Sequence, residues 1–241
     1  MVEETPQAGA GGLAVAGRLA EVRGRIEAVA RRAGRQSSDV RLMAVTKGFS
    51  REDVQAAASA GLTLFGENRV QEAEAKFVEF AGKCELHLIG HLQRNKARTA
   101  AATFSCVQSI DKADTAEALN LHCAERGIVM DVLLEMNASG EPSKSGFLSR
   151  DDLLRGLDVI GRLSSLRVRG LMTVGPLSSD DAKIRYSFSL LRTLFQEICS
   201  GSFPGCDTLS MGMSGDFETA IEEGSTLVRI GTALFGPRQP R

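Results

Sequence analysis

Lys47 is the residue best placed to do chemistry. It ends the apolar run Leu42-Met43-Ala44-Val45-Thr46, and Gly48-Phe49 and Ser50-Arg51-Glu52-Asp53 follow it. A run apolar on both faces reads as a buried strand. Parallel α/β folds place ligands at the carboxyl ends of such strands. A lysine drawn toward a dry interior favours its neutral amine, which can form a Schiff base with an aldehyde. The plainer role is a lysine with its stem buried and its head in water. Two later stretches have a different chemistry. Ser210-Met211-Gly212-Met213-Ser214 offers glycine and two hydroxyls before a short helix, and Gly231-Thr232 repeats the pattern after the last strand. Backbone N–H groups at such places bind phosphate. Taken singly, Ser214 could merely cap its helix and Gly231 merely turn the chain.

The elements that must position these residues repeat. Leu19, Val22, Ile26 and Val29 mark a first helix, stopped at Gly34. Then eight strand-like runs alternate with helical stripes: 42–47, 62–65, 86–89, 106–110, 130–136, 168–172, 208–210 and 227–230. Ser50 and Asp53 form a capping box for the helix after the first strand, and Asp111 is expected to cap the helix after the fourth. Strict alternation implies a parallel sheet, and eight units in 241 residues fit a closed (β/α)8 (TIM) barrel with an extra N-terminal helix. A doubly wound open sheet is the alternative, but its Gly-x-Gly-x-x-Gly marker is missing. Residues 1–12, rich in Gly, Ala and Pro, are expected to be a flexible tail, and 13–241 a single domain.

In a barrel the strand ends share one mouth. Here they are Lys47, Asn68, His91, Ser109, Asn137, Thr173, Ser210 and Gly231-Thr232. The mouth is polar, small-residued and carries one amine. Barrels often bind phosphate after strands seven and eight, where both glycine-hydroxyl stretches fall. A phosphate beside an aldehyde-seeking lysine describes pyridoxal 5'-phosphate. Arg229, inside an apolar strand, either pairs with a neighbouring carboxylate or faces the pyridine nitrogen. In the second case it discourages protonation of that nitrogen and weakens the ring as an electron sink. Gly66-Glu67-Asn68 could orient Lys47 or simply turn the chain. His87 reads as a core histidine, His91 could reach the mouth, His122 belongs on a helix surface, and Lys144 is a loop charge.

Composition excludes other classes. Net charge is −1, so no global field recruits nucleic acid or an anionic membrane. Aromatic content is 5% with no tryptophan, which removes base-stacking platforms. No apolar run reaches the length of a membrane span, and the N-terminus lacks a secretory pattern. Five cysteines without a Cys-x-x-Cys pair fit free thiols in a reducing compartment, so a cytoplasmic protein is expected.

Ala44-Val45-Thr46-Lys47, Phe65-Gly66-Glu67-Asn68, His87-Leu88-Ile89-Gly90 with Leu92-Gln93-Arg94-Asn95-Lys96, Lys144-Ser145-Gly146, Gly170-Leu171-Met172-Thr173, Leu209 to Ser214 with Asp216, and Arg229-Ile230-Gly231-Thr232 with Phe235-Gly236 resemble the pyridoxal phosphate homeostasis proteins. The resemblance covers about 42–236. It implies a single barrel similar to the N-terminal domain of alanine racemase. It implies that Lys47 carries the cofactor as a Schiff base and that Ser210, Ser214, Gly231 and Thr232 hold the phosphate. It also implies that Arg229 faces the ring nitrogen. Asn68 and Met211 complete the expected cofactor-binding set. His91 stands where many relatives have proline and receives no role. The family influences vitamin B6 and amino-acid balance without established turnover, so the expectation is a monomeric cofactor carrier, with apo-enzymes as acceptors.

The main rival is an alanine racemase-like enzyme. That chemistry needs a second base, a tyrosine from another domain. The chain ends soon after Gly236, and its one tyrosine, Tyr186, falls in a helix away from the strand ends. A Schiff-base aldolase would need an acid–base partner that only His91 offers. A purely protein-binding regulator is the third reading.

Overall fold

The structure, a computed structural model, describes residues 10–80, 82–200, 203 and 205–238. Eight parallel strands close into a barrel in chain order: β1 Arg41–Val45, β2 Leu64–Glu67, β3 Glu85–Leu88, β4 Cys106–Ile110, β5 Met130–Glu135, β6 Leu166–Met172, β7 Thr208–Met213 and β8 Leu227–Ile230. β1 pairs with both β2 and β8, which completes the ring expected from the alternation. The helices around it are α1 Ala10–Arg32, α2 Arg51–Ser59, α3 Val70–Phe77, α4 Ala97–Thr103, α5 Ala113–Glu125, α6 Arg150–Ile160, α7 Asp181–Ser200, α8 Phe217–Glu222 and α9 Thr232–Phe235.

Period-two alternation divides the core. Ala44, Phe65, Leu86, Val107, Leu134, Leu171, Leu209 and Val228 face outward and pack with the helices in one large apolar cluster. Met43, Leu64 and Leu227 form a separate small cluster with Ile89 inside the barrel. The first helix lies along the barrel's side against α2, α8 and α9, with Val15, Leu19, Val22, Ile26 and Val29 buried. It begins at Ala10, inside the stretch expected to be a tail; the rest of that expectation, residues 1–9, lies outside the described residues.

Two local expectations change. β7 runs on to Met213 with a register irregularity between Ser210 and Met213, so most of the Ser210–Ser214 stretch is strand and not loop. Gly212 permits this: its φ is +95°, and a Cβ there would lie 2.5 Å from the Ala220 Cβ of α8. Asp111 does not cap α5, whose N-cap is Lys112 with no side-chain cap. The stretch from 94 to 103 splits into a short 3-10 turn and α4. The Ser50–Asp53 capping box forms as expected, at 3.2 and 2.8 Å.

Candidate functional site

Met43 and Val45 share the inward face of β1, Lys47 follows two residues beyond the strand's end, and Met43 stands opposite Arg229 in the β1–β8 register. Lys47 sits at the barrel's carboxyl end, half-buried and close enough to Arg229 to feel its charge. Burial first, then the Arg238 and Arg229 charges, push its amine below the usual lysine range. The backbone on both sides of it is tied down. Lys76 Nζ donates to the Thr46 carbonyl at 2.7 Å, to Glu67 Oε1 at 2.7 Å and to Glu72 Oε1 at 3.1 Å. Thr46 Oγ1 donates to Glu67 Oε1 at 2.6 Å, and Gly48 N–H donates to Glu72 Oε1 at 2.7 Å. Glu67 is fully buried, and burial raises its pKa despite these partners. So Gly66-Glu67-Asn68 does more than turn the chain: its carboxylate anchors the ion cluster that fixes the peptide before Lys47. Gly90 lets the third strand's end approach the same corner, where a Cβ would lie 2.3 Å from the Asn68 carbonyl.

Arg229 is buried and held by neutral groups. Nη1 donates to Ser210 Oγ at 2.6 Å and Nη2 to the Thr173 carbonyl at 2.7 Å. Ser210 Oγ donates in turn to Gln108 Oε1 at 2.7 Å. Gln108 Nε2 and His87 Nδ1 are 2.8 Å apart, and His87 Nε2 lies 2.7 Å from Glu85 Oε1. A polar chain thus runs through the barrel from its floor to Arg229. Desolvation lowers the Arg229 guanidinium to about 10, with Asp216 and Glu135 opposing the drop.

The structure brings the two glycine-hydroxyl stretches together. Ser214 Oγ accepts from the N–H groups of Gly231 and Ala233 at 3.3 and 3.2 Å, linking the end of β7 to the start of α9. These contacts are long for hydrogen bonds. Among the described residues the N–H of Thr232, at the start of α9, has no acceptor outside the helices and strands. An open backbone donor, a hydroxyl and a short helix after strand eight suit a phosphate. Two members of the expected set stand elsewhere. The Ser210 hydroxyl faces Arg229 and Gln108 and is fully buried, and the Met211 side chain lies in the outer core because its strand continues through it. Asn68 lines a cavity of about 180 Å³ on the other side of the mouth, with His91, Glu135, Asn137 and Lys144.

Asn137 and Lys144 fold the loop after β5. Asn137 Nδ2 donates to the Glu141 and Lys144 carbonyls, and Lys144 Nζ donates to Glu141 Oε1 and the Gly175 carbonyl, both at 2.7 Å. Glu135, Gln108 and Lys76 were not singled out in the sequence. The signal for Glu135 was available: Asp131, Leu133 and Glu135 alternate onto the inward face of β5.

With this geometry in hand, comparison with known proteins is direct. Residues 18–239 match the family described as alanine racemase, N-terminal domain. A pyridoxal phosphate homeostasis protein of Vibrio alginolyticus is 43% identical over 210 residues, covering 85% of this chain and 89% of its own length. The protein of that name from Escherichia coli K12 is 38% identical over 231 residues, covering 93% and 97%. This chain belongs to the pyridoxal phosphate homeostasis protein family. PipY of Synechococcus elongatus, solved with PLP bound, superposes with a TM-score of 0.80 at 34% identity, covering 92% of this chain and all of that one. An alanine racemase from Bacillus anthracis shares the fold at a TM-score of 0.68 and 16% identity, and this chain spans 56% of it. Against that racemase the homeostasis family likeness extends to sequence, and the racemase likeness to fold alone. No helix among the described residues is long and apolar enough to cross a membrane.

Proposed function

We propose that this protein binds pyridoxal 5'-phosphate covalently through Lys47 and holds it for delivery to other proteins, without efficient turnover of its own. The observation that carries the reading is the pairing of Lys47 with the open donor set across the mouth. Its amine is biased toward the neutral, nucleophilic form by burial and two arginines, and its flanking peptides are fixed by Lys76, Glu67 and Glu72. Ser214, Gly231 and Thr232 supply hydroxyl and N–H groups to a phosphate. Asn68 lines the ring's side of the mouth. When bound, the cofactor supplies an aldehyde that links reversibly to amines. Ser210 acts through Arg229, whose orientation it fixes, and Met211 contributes through its backbone only.

The family's name and the cofactor bound in PipY support the cofactor assignment. The exposed position of Tyr186 on α7, at 69% exposure, supports the carrier reading over a two-base racemase. A cationic Arg229 facing the ring nitrogen points the same way. Apo-enzymes that use the cofactor are the proposed acceptors, the protein acts as a monomer, and the cytoplasm is its proposed compartment.

The test is chemical. Borohydride treatment of the loaded protein should fix the cofactor to Lys47, located by peptide mass mapping, and Lys47→Ala should abolish the adduct. An adduct on another lysine, or none, overturns the covalent reading. Loaded protein incubated with L- and D-amino acids in deuterated water should show no α-proton exchange near the ~1–1000 per second typical of enzymes. Exchange at such rates, lost in Lys47→Ala, would establish the racemase-like alternative.

A further inference from the structure

Four hydrogen bonds cross the barrel interior in series, and the hydrogen in each can be assigned. Glu85 and His87 alternate onto one face of β3, Gln108 stands on the neighbouring β4, and Ser210 and Arg229 stand on β7 and β8. Glu85 Oε1 lies 2.7 Å from His87 Nε2, and His87 Nδ1 lies 2.8 Å from Gln108 Nε2. Gln108 Oε1 lies 2.7 Å from Ser210 Oγ, which lies 2.6 Å from Arg229 Nη1. His87, Gln108, Ser210 and Arg229 are all buried.

The two ends fix the direction. A guanidinium only donates, so Ser210 Oγ accepts from Arg229 and must send its own hydrogen elsewhere. A carboxylate only accepts, so the hydrogen shared with Glu85 belongs to His87 Nε2. The His87 hydrogen bond, with Arg41 beside it, holds the Glu85 carboxyl at about 2 against burial, so it is ionised at neutral pH. Between these ends each residue donates once and accepts once. Arg229 donates to Ser210, Ser210 to Gln108, Gln108 to His87 and His87 to Glu85. His87 must then be neutral, with Nδ1 bare. The opposite tautomer fails at both ends. It would set a bare Nε2 against the Glu85 carboxylate, reverse the Gln108 amide and turn the Ser210 hydrogen toward the guanidinium. A doubly protonated ring would also reverse the amide, and Ser210 has no further acceptor among the described residues. Unmatched donors cost most where water is excluded.

We propose that His87 is a positioning residue for Arg229, acting from across the barrel through Gln108 and Ser210. Its bare Nδ1 fixes the amide, the amide takes the Ser210 hydrogen, and the Ser210 lone pairs are left to hold the guanidinium. This rests on the reading of Arg229 as the group that faces the cofactor's ring nitrogen. The order of hydrogens in the interior then governs how firmly that one contact is made, and it leaves the Lys47 and phosphate anchors alone.

The first measurements need no cofactor. Nitrogen NMR of the histidine-labelled full chain at neutral pH should show His87, one of three histidines, with a single hydrogen on Nε2. Comparison with His87→Phe assigns the signal. A hydrogen on Nδ1, or on both nitrogens, overturns the proposal. In arginine-labelled protein the Arg229 guanidinium hydrogens, assigned with Arg229→Lys, should exchange with water about tenfold faster in His87→Phe and in Gln108→Met. Unchanged exchange in both variants overturns it. Thermal melting shows which variants are folded, and Gln108→Met, close to its parent in volume, serves if His87→Phe is not. The second measurement is equilibrium dialysis of pyridoxal phosphate and of its deaza analogue, in which carbon replaces the ring nitrogen. The variants should weaken pyridoxal phosphate about tenfold, the usual loss of one hydrogen bond to a charged group, and leave the analogue unchanged. Equal weakening of both ligands marks a purely structural role and overturns the proposal, as does no weakening of either. A wild type that binds neither ligand refutes the cofactor reading by itself, and the exchange measurement still decides whether His87 positions Arg229.

Discussion

Replacing Lys76 with methionine removes the centre of the ion cluster beneath Lys47 while keeping a side chain of similar length. The lysine's three hydrogen bonds disappear, to Thr46 O, Glu67 Oε1 and Glu72 Oε1. Glu67, with no exposed surface, keeps a single partner, the Thr46 hydroxyl, and its Oε2 already has none. Removing one member of a buried pair costs about 3–5 kcal/mol, because the remaining charge stays desolvated. For a chain of this size that lowers the melting temperature by roughly 6–20 °C. The cost depends on pH. Burial already raises the Glu67 carboxyl above its ordinary range, and loss of Lys76 raises it further. The folded variant then binds more protons than the unfolded chain above the ordinary carboxylate range, so its stability falls as pH rises. Urea denaturation of wild type and Lys76→Met from pH 5 to 8 should show a gap that widens with pH. Adding Glu67→Gln should recover most of the loss. A gap under about 1 kcal/mol at pH 8 that does not change with pH would refute the reasoning.

Ser214→Ala removes the acceptor shared by the Gly231 and Ala233 N–H groups and the hydroxyl proposed for the phosphate. Affinity for pyridoxal phosphate should fall about ten- to a hundredfold by equilibrium dialysis, while that for pyridoxal without phosphate stays unchanged. Glu135→Gln should alter the pH profile of stability. The native carboxyl titrates at about 7 against an ordinary 4.5, so wild-type stability from this group falls as pH rises from 4.5 to 7. Chemical denaturation should therefore find the variant more stable by up to about 3 kcal/mol above pH 7, and similar to wild type below 4.5.

The barrel was legible because its signal is local and repeated. Eight apolar runs separated by helical stripes need no long-range information, and the lysine at the end of the first run is placed by strand polarity alone. Errors fell where local cues compete. Gly212 and the alternating methionines looked like a loop, but the sheet carries the strand through them by using glycine's positive φ against α8. Asp111 looked like a cap because an aspartate before a helix often is one. Its carboxylate instead turns toward His91. The polar interior was not legible at all. Lys76 sits on a helix whose apolar stripe gave no hint that a lysine points inward. Gln108 and His87 meet only because β3 and β4 are neighbours. Partners separated by 21 and 102 residues, as for Gln108 with His87 and with Ser210, are set by topology, which periodicity does not encode.

The state of Arg229 links this hidden interior to the proposed function. A guanidinium buried in a barrel needs compensation, and the obvious device is a contacting carboxylate. Arg229 has none: its bonded partners are a serine hydroxyl and a backbone carbonyl, with Asp216 and Glu135 acting only at a distance. Two of its five N–H donors are used by these neutral groups, and the guanidinium remains charged at neutral pH because about 10 is still well above 7. A carboxylate facing a pyridine nitrogen would share a proton with it and strengthen the ring's pull on electrons. A fixed cation donates a hydrogen bond without surrendering a proton and so leaves the ring less able to stabilise a carbanion. Ser210 is the hinge of this arrangement, because its one hydroxyl hydrogen is committed to Gln108 and its lone pairs face Arg229. Serving there, its hydroxyl is engaged by Gln108 and Arg229, and the proposed phosphate site rests on Ser214, Gly231 and Thr232. The same chain of contacts that engages Ser210 fixes Arg229 between Ser210 and the Thr173 carbonyl, and under the proposed reading a cation so fixed beside the ring nitrogen favours holding a cofactor over using it.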